Sequence, residues 1–374
     1  YDVARTPLTS LIKSTPLKQG RRRLMLSYGL GDAGTGIAAT QLGFYLFPFF
    51  TEKAGLPAVI AGSLLMVIKI WDAINDPLIG WMSDHTKTRW GPRLPWMIGA
   101  ALPLGITLGA MWWVPPGDIS QKTSYYIFVA VLLMTSYTCV NLPFAALSTE
   151  LTEDTNVRTR LNAARFTGSI LAGLSGLVIA AKLLSEGNEG YLSMGRITGL
   201  IATLATLVSC WGLAPFAKKA RKPIENRESF KLQLKRILKN NLFIRVIGLY
   251  LLLWCGLQLM QTVSLIYLEQ VMRVPTNISK WIPIPFQLSA LLGLQVWSFH
   301  SNKFGRISAL FWGGGLWITA CIVAMLLPPL SPYSTSSSLF TLIDLEGIKM
   351  IALITTILFV GFGASTAYLI PWSL

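Results

Sequence analysis

The chain has 374 residues, with 32 Lys and Arg against 17 Asp and Glu, which gives a formal net charge of +15. Hydrophobic residues make up 52% of the chain and charged residues only 13%, whereas roughly 25% of an average soluble domain is charged. Together with a mean hydropathy of +0.53, this composition excludes a soluble fold and predicts a polytopic membrane protein.

The residue types also exclude several functions. The basic residues lie between apolar runs and not on one folded face, so we expect no nucleic-acid partner. The four cysteines lie within apolar runs, without metal-site or disulfide spacing, and there are only two histidines. We therefore expect no cofactor, no resident metal and no enzymatic activity that depends on a Ser-His or Cys-His pair.

Apolar runs of about 20 residues, the length of a helix that crosses a hydrocarbon core of roughly 30 Å, recur along the chain. We number these predicted spans 1 to 10; they lie at 28–50, 58–82, 95–115, 124–148, 164–184, 194–216, 242–268, 280–299, 306–329 and 348–374. The sequence therefore predicts an all-α membrane protein with about ten spans.

The loops between the spans indicate the orientation. Lys and Arg near helix ends are retained on the cytoplasmic side. They are concentrated in the N-terminal segment 1–24, in the connection after span 2 and in the connection after span 6, while the opposite loops hold few. We expect a multi-pass protein of the inner (plasma) membrane with a cytoplasmic N-terminus.

An internal repeat divides the chain into two halves. The segment 80–93 after span 2 has a shortened echo at 298–306 after span 8, an offset of six spans. Parallel repeats of this kind predict two six-helix bundles. The predicted units are the N-terminal segment 1–24, an N-terminal six-helix bundle 25–216, a basic linker 217–241 and a C-terminal bundle 242–374 with four of six helices. Because the chain ends inside an apolar run, we expect two further spans beyond it.

Span 2 carries Lys69, Asp72 and Asp76. Each charge at the centre of a membrane helix costs roughly 2.5 to 3.5 kcal/mol on insertion scales, so three charges in one span need a reason. The i,i+3 and i,i+4 spacings place them on one stripe, where two carboxylates and the amide oxygen of Asn75 suit Na⁺, or a proton. The alternative is a packing ion pair between Lys69 and Asp72, which leaves Asp76 unexplained.

Three segments resemble the glycoside-pentoside-hexuronide:cation symporter family, which is melibiose permease-like. They are Leu26-Ser-Tyr-Gly-Leu-Gly-Asp32, Ile70-Trp-Asp-Ala-Ile-Asn-Asp-Pro-Leu-Ile-Gly80 and Arg89-Trp-Gly-Pro-Arg-Leu-Pro-Trp96. The resemblance is strongest from about residue 24 to 166. It implies a major facilitator fold with two six-helix bundles, and Na⁺- or H⁺-coupled symport of a sugar or glycoside-like small molecule by a monomer that alternates its access across the bilayer.

The resemblance also implies functional positions. The cation site of the family matches Asp72, Asn75, Asp76 and Thr138. Its sugar site has an acid at the position of Gly36, a second acid at Asn141 and a tryptophan near Ala145; this chain keeps none of them, although Arg165 and Tyr368 match. Loss of both carboxylates makes a melibiose-like substrate doubtful. Animal relatives that carry lysophospholipids also lack the span 1 acid, so an amphipathic solute is an alternative, and a non-transporting sensor is another.

Other polar and aromatic residues share helix faces near these positions. Tyr137, Asn141 and Phe144 on span 4, with Trp254, Gln258 and Gln261 on span 7, are candidates to line a substrate cavity. The aromatic members are equally compatible with packing. Asp32, early in span 1, is interpreted as a helix-packing or gating residue.

The predicted gating residues are Lys69, Asp84, Arg89 and Arg93. The last three belong to the loop after span 2, where the major facilitators place a carboxylate at a helix end beside arginines. Cytoplasmic retention by positive charge also explains the basic residues of this loop, and both interpretations stay open.

Overall fold

The structure is a computed structural model that describes residues 17–152, 155–185, 189–217, 241–330 and 345–369. Its α-helices are α1 (Leu17–Leu30), α2 (Ala33–Pro48), α3 (Ala58–His85), α4 (Leu94–Met111), α5 (Ile119–Leu151), α6 (Thr155–Ser185), α7 (Gly190–Ala217), α8 (Asn241–Ile266), α9 (Thr276–Ser279), α10 (Pro283–Phe304), α11 (Arg306–Leu326) and α12 (Leu345–Leu369). Nine helices within these ranges are long and apolar enough to cross a membrane, and they correspond to predicted spans 2 to 10.

Span 1 differs from the prediction because it is not one continuous helix. It consists of α1 and α2, which are separated at Gly31 and Asp32, and α1 already begins at Leu17. Asp32 has φ −99° and ψ 4°, outside the helical region. A β-carbon on Gly31 would lie 2.4 Å from the Phe144 ring, so the chain passes span 4 at a distance that only glycine permits.

The N-terminal half is held together by close helix contacts. Helix α4 packs on α7, α2 packs on α6, and α3 packs on α5. Between α4 and α7, a β-carbon on Gly105 would lie 2.5 Å from the carbonyl oxygen of Gly199. Small residues let membrane helices approach closely, and here they bring two backbones into contact.

Spans 1 and 7 end in similar backbone turns. Helix α2 continues into a π-helical turn at Phe49–Lys53, and α8 continues into an equivalent turn at Tyr267–Val271. The turns close in the same way, by Ala54 N donating to Phe49 O at 2.9 Å and by Met272 N donating to Tyr267 O at 3.0 Å. Spans 1 and 7 therefore end alike, as a six-span repeat requires.

The two halves meet where α2 packs on α8 and α6 packs on α10. The Tyr45 hydroxyl of the first half donates to the Lys280 carbonyl at 2.9 Å, and Lys280 Nζ donates to the Leu184 carbonyl at 3.0 Å. Phe44 meets Phe286 edge to face, with ring centroids 5.7 Å apart. We call this set of interactions the Lys280 contact; it joins the halves at the end of span 1 that leads to residue 53. The predicted linker lies almost entirely in 218–240, outside the described residues.

Candidate functional site

The predicted cation site brings together side chains of α3 and α5. Thr138 Oγ1 donates to Asp76 Oδ1 at 3.0 Å, and the Thr138 hydroxyl is also a hydrogen-bond neighbour of Asp72. Asp72 and Asp76 lie one turn apart, so their like charges interact. Asp72 is half-buried, while Asp76 is exposed.

The other two residues of span 2 occupy different surroundings. Asn75 is buried in the contact between α3 and α5, where its Nδ2 faces the Met134 carbonyl at 3.4 Å. Lys69 is exposed and lies within electrostatic range of Asp72. It is about 22 Å along the helix from Asp84, by 15 residues at 1.5 Å each, so it does not join the predicted gating loop.

A second polar cluster forms around Asp32. Asp32 Oδ2 accepts from Arg165 Nε at 3.0 Å, and its Oδ1 accepts from Thr35 Oγ1 at 2.6 Å and from Asn141 Nδ2 at 3.1 Å. Arg165 Nη2 in turn faces Asn141 Oδ1 at 3.4 Å. We call these four residues the Asp32 cluster. It joins Asn141 and Arg165, both predicted for the solute site, through a carboxylate that the sequence indicates for helix packing or gating.

The Arg165 guanidinium is the part of the Asp32 cluster with unused donors. Its side chain is 14% exposed and lies between two aromatic rings, 5.5 Å from the centroid of Phe144 and 5.8 Å from that of Phe166. An arginine has five N–H donors, and only two of them have acceptors among the residues that the structure describes. The remaining donors are available to a ligand.

Tyr137 is electrostatically coupled to both the predicted cation site and the Asp32 cluster. It is half-buried and within electrostatic range of Asp32 and Arg165 on one side and of Asp72 and Asp76 on the other. Helix α5 therefore carries both the Thr138 hydroxyl of the predicted cation site and the Asn141 amide of the predicted solute site. A displacement of this helix moves both sites together.

Two predicted substrate positions do not contribute a described side chain to the Asp32 cluster. Gly36 is packed against α6, and a β-carbon there would lie 2.5 Å from Ser169 Oγ and 2.6 Å from Ser169 O. The position therefore faces a helix backbone. Tyr368 lies on α12, but its side chain is outside the described residues.

The predicted residues of span 7 lie at the contact between the halves. Both glutamines approach Gly43 of span 1. A β-carbon added at Gly43 would lie 3.0 Å from Gln261 Oε1 and 3.9 Å from Gln258 Nε2. Trp254 is half-buried and stacks on Tyr250, with centroids 5.9 Å apart. The glutamines are thus placed between spans 1 and 7, where relative motion of the halves would change their contacts.

The loop after span 2 contains a buried ionic cluster. The Arg93 side chain is only 5% exposed and forms an ion pair with Asp84. Its Nε also lies 2.8 Å from Glu150 Oε1, and its Nη1 donates to Ser83 Oγ at 2.7 Å. These contacts tie the end of α3, the start of α4 and the end of α5 together. Arg89 is exposed and lies over the Trp90 ring, so it does not enter the cluster.

Asp84→Ala is expected to lower transport turnover about five- to tenfold, with less than about a twofold change in solute dissociation constant. Asp84 is about 12 Å along α3 from Asp76, by eight residues at 1.5 Å each, and it contacts Arg93 and not the Asp32 cluster. The measurement is initial uptake rate against equilibrium binding. A large loss of affinity with unchanged turnover would contradict a gating role.

Comparisons with known proteins identify the family of the chain. A family model described as MFS/sugar transport protein matches residues 27–374. An uncharacterized symporter of Synechocystis sp. is 30% identical over 93% of this chain and 76% of its own length. The isoprimeverose transporter of Lactiplantibacillus pentosus is 26% identical over 77% of this chain, which spans 60% of that relative. The sodium-dependent lysophosphatidylcholine symporter 1-A of Danio rerio is 22% identical over 96% of this chain and 71% of its own length.

Solved structures share the fold at low identity. A bacterial homologue of the iron transporter ferroportin in an inward-facing state superposes with a TM-score of 0.64 at 15% identity, over 96% of this chain and 84% of that one. The helices and these likenesses define a multi-pass membrane transporter with the major facilitator fold.

The chain belongs to the MFS/sugar transport protein family. Membership confirms the predicted resemblance, the all-α polytopic fold class and the prediction of a transporter rather than an enzyme. The individual site residues remain predictions that the geometry now makes testable.

Proposed function

We propose that the protein is a secondary active transporter that couples the movement of Na⁺ or H⁺ to symport of a sugar or glycoside-like solute. The observation that carries the proposal is the hydrogen bond from the Thr138 hydroxyl to Asp76, with the Asp72 carboxylate one helical turn away, in membrane-spanning helices. Two like charges one turn apart repel each other, and a bound cation between them lowers that repulsion. Hydroxyl and carboxylate oxygens are the hard ligands that suit such an ion.

Coupling follows from the position of α5. The helix contributes Thr138 to the predicted cation site, beside Asp76. About one turn later it contributes Asn141 to the Asp32 cluster. An ion that draws Thr138 towards α3 also changes the position of Asn141 relative to Asp32. Binding of the ion and binding of the solute are therefore energetically linked, and the link acts in both directions.

The contact between the halves supports alternating access. The Lys280 contact joins them at one end of span 1, and it consists of two hydrogen bonds to backbone carbonyls and one aromatic pair. Hydrogen bonds and ring contacts of this kind can break and reform when the halves rock around a fixed site. The proposal includes a monomer in the inner (plasma) membrane. Its basic connections follow even-numbered spans, which supports a cytoplasmic N-terminus. The coupling ion is cargo, and the mechanism uses no resident cofactor.

An amphipathic solute is the second candidate, and a cavity favours it. A largely apolar cavity of about 250 Å³ lies between span 1 and spans 7 to 10, lined by residues such as Phe44, Met260, Phe286 and Ile357. A cavity of this kind suits an acyl chain or another apolar group. The relatives that are named lysophosphatidylcholine symporters also support an amphipathic solute.

Uptake into proteoliposomes tests the proposal. The substrate panel contains glycosides, uronides and lysophosphatidylcholine, each under an imposed Na⁺ or H⁺ gradient. Asp118→Asn is the matched control, because Asp118 is an exposed helix N-cap remote from both clusters and asparagine caps a helix equally well.

We expect at least one solute of the panel to accumulate under one gradient and not without it. Gradient-independent equilibration of every transported solute would contradict coupling. Binding without any transport would favour the non-transporting sensor.

A further inference from the structure

We infer that Asp32 sets the charge selectivity of the solute site: it neutralises Arg165, so that the site takes a neutral, hydroxyl-bearing group and disfavours an anionic one. The inference deepens the proposed function and rests on it for the existence of a solute site at Asn141 and Arg165. The carboxylate that sets this selectivity is that of Asp32, at the break in span 1.

The first step is the geometry of the carboxylate. Asp32 is 4% exposed and accepts three hydrogen bonds, from Arg165, Thr35 and Asn141 at 2.6 to 3.1 Å. An ionised carboxylate offers about four acceptor positions. One position on Asp32 is therefore left for a ligand, next to the unused N–H donors of Arg165.

The second step is the chemistry that fits both groups. A hydroxyl accepts a hydrogen bond from Arg165 and donates one to Asp32. A carboxylate or phosphate can only accept, and it would bring a second negative charge beside Asp32, which like-charge repulsion disfavours. The pair as a whole carries no net charge, so it gives an anion no compensating attraction.

The third step is the backbone that delivers Asp32. Position 36, one turn further along α2, has no room for a side chain because Ser169 fills the space. The turn at Gly31 and Asp32 leaves the regular helix and directs the carboxylate to α5 and α6 instead. The chain thus supplies an acid to this region from a different position in span 1.

The experiment compares two ligands that differ at one carbon, p-nitrophenyl β-D-glucoside and p-nitrophenyl β-D-glucuronide. Equilibrium binding to the purified protein is measured without any ion gradient. We expect the unmodified protein to bind the glucoside at least about tenfold more tightly, a difference of about 1.4 kcal/mol. Asp32→Asn leaves Arg165 without its counter-ion, so the ratio of the two dissociation constants should shift towards the glucuronide by at least about tenfold.

Two further variants keep the test decisive. Asp118→Asn removes the same charge at a remote exposed site and should leave the ratio unchanged. Should Asp32→Asn fail to fold, the double variant Asp32→Asn with Arg165→Gln removes both charges together, and its ratio should lie between those expected for the unmodified protein and for the single variant.

Three outcomes would overturn the inference. They are an unchanged ratio of dissociation constants in every folded Asp32 variant, a preference of the unmodified protein for the glucuronide, and binding of neither ligand. Because binding is measured without a gradient, loss of coupling leaves this result intact. A failed uptake experiment with a shifted binding ratio would reject symport and retain the role of Asp32.

Discussion

Asp76→Asn is expected to abolish gradient-driven accumulation while solute binding survives. The asparagine has nearly the shape of the aspartate and can still accept the hydrogen bond that Thr138 donates to Asp76 at 3.0 Å. It cannot change its charge by binding Na⁺ or a proton, so the free energy of the ion gradient no longer reaches the solute. In proteoliposomes the ratio of internal to external solute should fall to about one, as expected when an essential intramembrane carboxylate is neutralised.

Counterflow measurements give the necessary contrast. Exchange of labelled for unlabelled solute needs binding and alternation but no net movement of ions, so the Asp76→Asn protein should retain part of it while it loses accumulation. Asp118→Asn, on the exposed start of α5, should accumulate solute as the unmodified protein does. Full accumulation by Asp76→Asn would exclude this carboxylate as the coupling residue.

The grouping of Asp72 and Asp76 on one stripe was accessible from the sequence because helical periodicity fixes which residues of a single helix share a face. The Thr138 hydroxyl could be predicted for this site only through the family resemblance. Thr138 lies 62 residues from Asp76, and no periodicity relates them. Their contact depends on how α3 packs on α5, which is a property of the tertiary fold.

Asp32 shows what sequence reasoning missed. Its partner Arg165 is 133 residues away, and the carboxylate points towards it because span 1 breaks at Gly31. A signal was present, since an ionisable residue within a membrane span is a functional candidate by default and Asp32 follows two glycines. The family resemblance pointed instead to position 36, one turn further along the span.

Gly36 illustrates the opposite difficulty. The resemblance marks the position as one where relatives carry an acid, and that correspondence concerns the order of residues along the chain. Whether a side chain can be accommodated depends on the distance between α2 and α6, which here is set by direct contact with Ser169. Restoring an acid at this position is therefore a question of packing before it is one of recognition.

Gly36→Ala is expected to destabilise the N-terminal half, and Gly36→Asp to destabilise it further. A β-carbon at this position would lie 2.5 Å from Ser169 Oγ, 2.6 Å from Ser169 O and 2.9 Å from Ser169 Cα. The hydroxyl can rotate away but the backbone atoms cannot, so α2 and α6 must separate, and overpacking of this kind costs about 1 to 3 kcal/mol or more. Unfolding on heating in detergent is measured by size-exclusion chromatography. We expect a lower thermal midpoint for Gly36→Ala than for the unmodified protein, and little recoverable protein for Gly36→Asp.

Gly62→Ala is the matched control, because Gly62 also lies within a helix but has no atom within 4 Å of the added β-carbon. Alanine is favoured over glycine in a helix by about 1 kcal/mol, so this variant should be as stable as the unmodified protein or more stable. The two substitutions add the same methyl group, and they differ only in what that group meets. A thermal midpoint for Gly36→Ala equal to that of Gly62→Ala would show that α2 and α6 have room at this position, and an acid could then be restored there.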